Sequence, residues 1–323
     1  MTQVNCLLCG SKNLIFEDVY KQNIAFDQKY LGDMNIYSCL DCSLSFAHPM
    51  PSNKILNEYY SNIYRSPGRE LYESNKDFKD INIMTKMRNY EYYSYLTIFK
   101  NAENIKNYLD FGSHSGDFGY LLKKKFQTIK LHSCEQDQSS IKVLNEREFK
   151  NFSSLDEIDI KFDLITCFHS LEHLNSLNIF SKLSKLLSKN GIIFFEVPNC
   201  PFKQYYKNRP YDAPHLIFFN KKSITNIAKK YNLKLENLTS TSLNFQEAFK
   251  NMEDAKNTFK NWKPGKKNFE NHSTIKKFLK KIIPIKLFEM REKYILGKKL
   301  TNQDMYFHNK SNQWLLRGIL KNI

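Results

Sequence analysis

Four of the seven cysteines stand in two C-x2-C pairs near the start of this 323-residue chain. The pairs are Cys6 with Cys9 and Cys39 with Cys42. Each pair forms a tight turn that places two thiolates on one side, and two such turns supply the four ligands of a tetrahedral zinc site. A site closed by four cysteines leaves no coordination position for substrate, so we predict one structural zinc ion. Redox-active or unbound thiols are the alternative, and disulfides are disfavoured in a reducing cytosol.

The residues from Asp110 to Gly116 form a second stretch that could do chemistry. An apolar run ends in an acid, a glycine-containing turn follows, and residues 118–126 have helical character. Strand, turn and helix in this order open many nucleotide-binding α/β sheets. We expect Gly112 to let the backbone turn sharply, and Gly116 to let the helix begin without a Cβ against the ligand. Further along the chain, Glu135 ends the next apolar run and could accept hydrogen bonds from two ribose hydroxyls.

His173 and His215 are the candidates for acid–base chemistry. His173 follows the fourth predicted strand and His215 lies in the long loop after the fifth. Ligands of open parallel sheets bind beyond the carboxyl ends of the strands, which is where both loops begin. An imidazole titrates near neutral pH and can take the proton of an acceptor hydroxyl. The structural alternatives are that His173 caps or holds its turn and that His215 only packs in its loop.

The elements that must position these residues follow a regular alternation from residue 106 onward. Strands are expected near residues 106–111, 130–135, 148–152, 162–168, 191–197 and 233–240. Helices are expected near residues 117–126, 139–147, 175–188 and 221–232. Asn190-Gly191 is interpreted as the stop of the third helix. Short apolar strands that alternate with helices favour a parallel sheet with both faces covered.

Composition bounds the class of protein. The chain is 41% hydrophobic and carries a formal net charge of +16. Its length favours more than one domain. No apolar run reaches the roughly eighteen residues that cross a bilayer, and the N-terminus lacks a basic and apolar leader pattern, so we expect a soluble cytoplasmic protein. The charge either indicates a polyanionic partner or reflects a lysine-rich composition.

Further motifs make the chain similar to a known family. Glu172 and His173 belong to a Leu-Glu-His turn after the fourth predicted strand, and the fifth ends in Val-Pro198-Asn199. Together with the Asp110–Gly116 turn and Glu135, they resemble class I methyltransferases that use S-adenosylmethionine (SAM). The paired cysteines, followed by a Pro-x-Pro stretch and a Tyr-Tyr pair, resemble a bacterial subgroup that includes sugar methyltransferases of antibiotic and surface-polysaccharide pathways. The resemblance covers residues 1–60 and 106–240.

This resemblance implies a Rossmann-like α/β fold with a seven-stranded sheet whose last strand is antiparallel. It implies SAM as the cofactor, and by position it implies these cofactor-binding residues: Asp110, Gly112, Ser113, Gly116, Glu135, Gln136, Phe168 and His169. The chain departs from the family at His114, which replaces the middle glycine of the usual turn. That departure implies a slightly different pocket.

The resemblance also implies a sugar or glycan-linked acceptor, with His215 as the base and His173 as its rival. Pro214 and Phe218 replace the acid and the tyrosine that accompany this histidine in the sugar subgroup. The missing companions favour O-methylation over C-methylation and leave N-methylation open. The tyrosines around Tyr60 either pack in the core or face the cofactor pocket.

Two other functions compete with this interpretation. An RNA methyltransferase would suit a zinc module and a net charge of +16, but the chain has no Asn-Pro-Pro-Tyr-like motif for a flipped base. A non-catalytic module that binds SAM or nucleic acid is the other alternative. The intact turn from Asp110 to Gly116, together with Glu135, speaks against a decayed cofactor site.

We predict five segments along the chain. They are a zinc-ribbon-like module (1–60), a helical Tyr-rich connector (61–105), the SAM-binding domain (106–244), a basic helical insertion (245–300), and a final strand with the tail (301–323). The seventh strand is predicted at Asp304–His308. Between Lys260 and Leu300 the sequence has thirteen Lys or Arg and three Glu, a net charge of +10. This basic segment (260–300) could hold a phosphate-bearing acceptor, rest on an anionic membrane, or pack on the core with its lysines solvated.

Overall fold

The computed structural model describes residues 4–20, 30–64, 83–200, 214–241, 290, 294 and 315–323. The chain divides into two compact units. The first contains Met1–Phe78, Phe99–Thr241 and Gln313–Ile323, and the second contains Lys79–Ile98 and Ser242–Asn312. Both the cysteine pairs and the predicted cofactor turn therefore lie in the first unit.

Strands and helices alternate between residues 107 and 241, as the sequence predicts. The strands are β1 (Leu14–Val19), β2 (Asn35–Cys39), β3 (Ser45–His48), β4 (Asn107–Phe111), β5 (Lys130–Cys134), β6 (Lys150–Phe152), β7 (Phe162–Phe168), β8 (Leu187–Pro198), β9 (Ile217–Phe218), β10 (Leu233–Thr241) and β11 (Leu315–Asn322). The α-helices are α1 (Asn53–Glu58), α2 (Ile83–Phe99), α3 (Asp117–Lys125), α4 (Gln138–Glu146), α5 (Ile179–Leu186) and α6 (Lys221–Lys230). Helix α1 continues into a π-helical turn at Tyr59–Ile63, and 3-10 turns lie at Ala102–Asn104, Leu155–Glu157 and Leu171–His173.

Seven strands form one sheet in the order β10-β11-β8-β7-β4-β5-β6. The five strands from β8 to β6 are parallel, and β11 is antiparallel to both of its neighbours. This arrangement confirms the predicted α/β sheet with an antiparallel strand beside the fifth strand. The predicted position of that strand is wrong, because Leu315–Asn322 and not Asp304–His308 lies next to β8. Residues 304–308 lie outside the described residues.

The third predicted helix ends earlier than its sequence suggests. Helix α5 ends at Leu186, and β8 begins at Leu187 and runs through Asn190 and Gly191. A Cβ on Gly191 would lie 2.5 Å from the carbonyl oxygen of Phe162 on the neighbouring strand. The glycine therefore permits close approach of two strands and does not end a helix, which corrects the predicted stop.

The N-terminal residues form a second, four-stranded sheet in the order β1-β2-β3-β9. Its last strand comes from the loop after β8 and pairs with β3 through Ser45 and Phe46. The cysteine turns do not have a separate core. Buried Cys6, Cys42 and Leu44 belong to the same hydrophobic cluster as Leu183 on α5 and Ile224 on α6.

The second unit is described mainly through α2, which belongs to it as far as Ile98. Met290 and Tyr294 are helical, and the rest of the basic segment (260–300) lies outside the described residues. The proposal that its lysines hold a phosphate-bearing acceptor therefore stays a prediction. Among the helices that the structure describes, none has the length and apolar character to cross a membrane.

Candidate active site

The turn after β4 depends on two glycines in left-handed backbone conformation. Gly112 has φ +67° and Gly116 has φ +65°. A Cβ on Gly112 would lie 2.6 Å from Cβ of Ser170, and one on Gly116 would lie 2.7 Å from side-chain atoms of both Leu144 and Phe149. Gly112 thus makes the predicted sharp turn. For Gly116, the structure gives a reason that the sequence did not indicate, because the missing Cβ makes room for the side chains of Leu144 and Phe149.

His114, at the position where the family has a glycine, also adopts left-handed backbone, with φ 49°. Its backbone N–H donates to Oε2 of Glu135 over 2.8 Å, and its Nδ1 lies 3.1 Å from Oγ of Ser115. The turn is therefore tied to the end of β5. Ser113 is buried, and its Oγ has no hydrogen-bond partner in the described part of the chain, so it could donate to a ligand.

Glu135 is held by backbone groups on both of its oxygens. Besides the bond from His114, Oε1 accepts from the N–H groups of Gln136 (2.9 Å) and Asp137 (3.1 Å). Burial raises the pKa of Glu135, and the three N–H donors oppose that shift. A carboxylate oxygen has two lone pairs, so Oε1 is fully used and Oε2 can still accept one bond from a hydroxyl. The side-chain Nε2 of Gln136 donates to Oδ1 of Asn57 on α1 over 3.1 Å, a contact that the sequence did not indicate.

Asp110 lies in the sheet interior beneath the turn. Its Oδ1 accepts a 2.7 Å hydrogen bond from Oγ1 of Thr166, which in turn lies 2.6 Å from the Tyr108 hydroxyl. Burial raises the pKa of Asp110 to about 7. Its side chain thus links β4 to β7 at the carboxyl end of the sheet.

Phe168 and His169 end β7 on the other side of the turn. The Phe168 ring packs edge-on against Phe118 (5.5 Å between centroids) and Phe194 (4.8 Å). The imidazole of His169 lies between two carboxylates, with Nε2 3.2 Å from Oε1 of Glu196 and Nδ1 3.5 Å from Oε1 of Glu172. Burial lowers the pKa of His169, but the two carboxylates outweigh it and raise that pKa to about 9.

The two predicted catalytic histidines lie together. The ring centroids of His173 and His215 are 4.8 Å apart, and the ring of Tyr60 lies 6.0 Å from that of His173. One oxygen of Glu172 and one nitrogen of each histidine all lie within 4.8 Å of one another. We call Glu172, His173 and His215 the polar cluster.

The polar cluster is short of partners. Both carboxylate oxygens of Glu172, Nδ1 of His173, Nδ1 of His215 and the Tyr60 hydroxyl are buried, and they have no hydrogen-bond partner among the residues described. A buried polar atom without a partner costs about 1–3 kcal/mol, so such atoms rarely gather without a ligand to satisfy them. Glu172 was missed as a site residue, although it stands inside the Leu-Glu-His turn. The gathering indicates a binding site.

Backbone hydrogen bonds fix the loop that carries His215. The N–H of Leu216 donates to the Glu172 carbonyl (2.7 Å), and the N–H of Ala47 on β3 donates to the Leu216 carbonyl (2.8 Å). The Tyr20 hydroxyl donates to the carbonyl of His215 itself over 2.8 Å. The N-terminal sheet therefore positions His215 against the turn that carries Glu172 and His173.

A family model described as a methyltransferase domain matches residues 85–238. We call residues 85–238 the methyltransferase domain, after the model that they match. This segment contains the turn from Asp110 to Gly116, Glu135 and the polar cluster, and the seven-stranded sheet that it forms together with β11 has an α/β methyltransferase fold.

Several known proteins are similar to parts of this chain. An uncharacterized protein of Methanocaldococcus jannaschii is 32% identical over 104 residues, which cover 32% of this chain and 46% of the relative. The ubiquinone biosynthesis O-methyltransferase of Histophilus somni is 24% identical over 162 residues, which cover 44% of this chain and 64% of the relative. The chain thus spans about half to two thirds of these curated relatives. A crystal structure of coclaurine N-methyltransferase bound to N-methylheliamine and SAH covers 80% of this chain and 81% of its own, at 12% identity and a TM-score of 0.48.

Burial keeps both histidines of the polar cluster neutral in the methyltransferase domain. It lowers the pKa of His173 and, together with His173, lowers the pKa of His215 to about 3. Burial alone would raise the pKa of Glu172, but His169 and His173 outweigh it and lower that pKa. The cluster therefore presents a carboxylate beside two neutral imidazoles at neutral pH.

The four paired cysteines lie outside the methyltransferase domain, before β1 (Cys6 and Cys9), at the end of β2 (Cys39) and in the turn after it (Cys42). Their sulfur atoms all lie within 4.8 Å of one another, with 3.4 Å from Cys6 to Cys42 and 3.5 Å from Cys9 to Cys39. Four ligands 2.3 Å from a tetrahedral zinc ion are about 3.8 Å apart, so the spacing fits one ion. The N–H of Leu8 also points to Cys6 Sγ over 3.4 Å.

Proposed function

We propose that this protein transfers a methyl group from SAM to a hydroxyl of a sugar or glycan-linked acceptor. The observation that carries the proposal is the polar cluster, whose buried acid–base atoms lack hydrogen-bond partners among the described residues and lie close to the cofactor turn. Ser170 packs on Gly112, and Glu172 begins the cluster two residues later. An acceptor placed there would lie beside the methyl donor.

SAM supplies an electrophilic methyl group, so the protein mainly has to align the acceptor oxygen with it. We assign the cofactor to the residues that the resemblance implies: Asp110, Gly112, Ser113, Gly116, Glu135, Gln136, Phe168 and His169. Two features support this assignment: Oγ of Ser113 has no hydrogen-bond partner among the described residues, and one lone pair of Glu135 Oε2 remains. The aromatic packing of Phe168 gives the pocket a rigid apolar wall.

At the acceptor, His215 would take the proton of the hydroxyl, and His173 is the alternative base. Nδ1 of each ring has no hydrogen-bond partner in the described part of the chain and could accept that proton. Burial and His173 lower the pKa of His215 to about 3 although Glu172 raises it, so the ring is a weak base in the free protein. The neighbouring Glu172 carboxylate would stabilise the imidazolium that forms when the ring accepts a proton. A base that removes the hydroxyl proton before or during methyl transfer makes the acceptor oxygen a better nucleophile, which favours O-methylation.

The cysteine site would hold one structural zinc ion. Its four thiolates fill the coordination sphere, so the ion would stabilise the N-terminal sheet and take no part in the transfer. Because β9 of that sheet fixes His215, the metal also supports the acceptor site. Reduced, metal-bound thiols are consistent with a cytoplasmic location.

Labelled SAM tests the proposed function directly. The purified protein is incubated with labelled SAM and, in separate reactions, with total RNA, nucleotide sugars or surface glycan. Label in the sugar or glycan pools supports the proposal. Label in RNA alone would replace it with the RNA methyltransferase alternative, and SAM binding without transfer to any pool would favour a non-catalytic module.

Replacing Glu135 with alanine is expected to weaken SAM binding by roughly 1–3 kcal/mol, because a charge-assisted bond to the ribose is lost. Titration calorimetry measures the affinity. Glu157→Ala is the matched control, since its exposed carboxylate lies after β6 and is bonded to Ser153. Equal affinities for wild type and Glu135→Ala would show that Glu135 is not the ribose ligand.

Replacing Gly112 with alanine is expected to lower SAM affinity and to destabilise the fold by about 1–3 kcal/mol, because the new Cβ clashes with Ser170 and the backbone is left-handed. The double variant Gly112→Ala/Ser170→Gly removes the clash and leaves only the backbone cost of about 1 kcal/mol. Denaturant unfolding measures the change in stability, and titration calorimetry measures the change in SAM affinity. A double variant no better than the single one would disprove the steric explanation.

A further inference from the structure

A buried ion pair joins the last strand of the sheet to the strand beside it. Arg317 on β11 and Glu196 on β8 are register partners. The guanidinium donates to Oε2 of Glu196 from Nε over 2.8 Å and from Nη2 over 2.5 Å. The two side chains are 4% and 0% exposed. Charged groups this deep are retained only with strong partners, so each fixes the other.

The pair extends to the turn between the cofactor and acceptor sides. The second oxygen of Glu196, Oε1, lies 3.2 Å from Nε2 of His169, and the Glu196 carbonyl accepts from the His169 backbone N–H over 2.8 Å. On the other side of the ring, Nδ1 of His169 lies 3.5 Å from Oε1 of Glu172. His169 has φ 52°, so its left-handed backbone aims the ring between the two acids. The chain of contacts thus runs from β11 to the polar cluster.

The four side chains alternate in charge. With His169 protonated, the order is Arg317 cation, Glu196 anion, His169 cation and Glu172 anion. Glu172 is 1% exposed and has no hydrogen-bond partner among described residues, so the imidazolium is the cation that offsets its charge. The charges in such a network depend on one another, because each charge lowers the free-energy cost of burying its neighbour.

We propose that Arg317, Glu196 and His169 are positioning residues that keep the Glu172 carboxylate ionised and directed at His173 and His215. This inference rests on the proposed function, because Glu172 matters only if a proton reaches the polar cluster. Arg317 and Glu196 would act without touching substrate or cofactor. Their role explains why the sheet buries two charges between strands where an apolar pair would pack as well.

Within the described part of the chain, charged groups face both His169 and Glu172. His169 is faced by Glu172 and Glu196, and Glu172 is faced by His169, His173 and His215. The Tyr60 hydroxyl also lies within electrostatic reach of Glu172.

The sign of the pH dependence follows from His169. Its pKa in the folded protein is about 9, above the usual 6.5, so the contribution to stability is complete below pH 6.5. That contribution is lost as the pH rises through about 9. When His169 loses its proton, Glu172 loses its counter-charge, so kcat should fall over the same range.

The double variant Glu196→Gln/Arg317→Met tests the network. It removes both charges of the ion pair together, so neither Glu196 nor Arg317 stays charged after its partner is lost. Removing one of the two carboxylates beside His169 should move the alkaline limb of kcat down by about 1–2 pH units. NMR of histidine ring carbons should show the same shift in the titration of His169. Lys321→Met on the same strand is the control, since Lys321 lies 3.6 Å from Glu236 and away from the network. It should keep both limbs of the wild-type profile.

His169→Asn is a second variant in case the double variant fails to fold, because asparagine tolerates left-handed backbone. Removing the imidazolium leaves Glu172 unpaired and raises its pKa, so the acid limb of kcat should move to higher pH. An equal loss of activity at every pH, with unmoved limbs in these variants, would overturn the proposal. If the wild type methylates nothing, the proposed function fails, while the NMR titration of His169 still decides whether the network exists.

Discussion

Replacing His215 with alanine is expected to lower kcat on the true acceptor by roughly 10²–10⁴-fold, the usual effect of losing a general base. SAM affinity should stay unchanged, because His215 lies on the acceptor side, next to β9, and not on the cofactor turn. Single-turnover kinetics with saturating SAM measures the chemical step.

Two further variants make this result specific. His48→Ala removes a histidine of the N-terminal sheet that lies outside the polar cluster and should leave kcat unchanged. His173→Ala distinguishes the two candidate bases. If kcat survives in His215→Ala and falls in His173→Ala, the assignment is reversed; if it survives in both, neither ring is the base.

Loss of the cysteine site should have the second large effect. Structural zinc contributes about 10–16 kcal/mol in small zinc-binding domains, so Cys42→Ser should abolish metal binding and reduce the free energy of unfolding by several kcal/mol. The effect should reach the methyltransferase domain, because Cys6 and Cys42 belong to the hydrophobic cluster that contains Leu183 and Ile224.

Metal analysis and denaturant unfolding of the same preparations check this prediction. The purified wild type should contain one zinc ion per chain. Cys134→Ser is the matched control, because it removes a buried thiol at the end of β5, away from the paired cysteines. Purified protein without stoichiometric metal would disprove the zinc site, and a normal free energy of unfolding for Cys42→Ser would disprove its structural role.

Local patterns predicted most of the sheet because the decisive signals lie within a few residues. The turn from Asp110 to Gly116 can be recognised from its own residues, since glycines stand at two of its positions with positive φ, Gly112 and Gly116. The apolar runs around it correspond to β4, β5 and β7 within a residue or two. The alternation of strands and helices then predicts that these strands run parallel to one another.

The last strand was misplaced because its residues are explained only by distant partners. Arg317 and Gly318 look unsuited to a central strand. The guanidinium is paired with Glu196, and a Cβ on Gly318 would lie 2.4 Å from the Phe195 ring that covers the position. Neither partner can be recognised from the residues around β11.

The residues of the candidate site were also predicted only in part from the sequence. His173 and His215 were predicted on one side of the sheet, and their 4.8 Å separation agrees with that placement. The structure adds Glu172 and places Tyr60 beside His173, and both carry buried polar atoms that have no hydrogen-bond partner among the described residues. Sequence spacing cannot reveal that shortage, because it depends on the loop that β9 attaches to the N-terminal sheet.

The position of β11 has a consequence for how the chain reaches its native state. The chain leaves the first unit after Thr241 and returns at Gln313, so the strand that fills the slot between β8 and β10 arrives only after a long excursion. Until it arrives, two strands present open edges, which are templates for intermolecular pairing. Closing so long a loop before any pairing is gained slows folding. A fragment that stops at Thr241 lacks β11, so we expect it to keep both edges open and to aggregate more readily than the full chain.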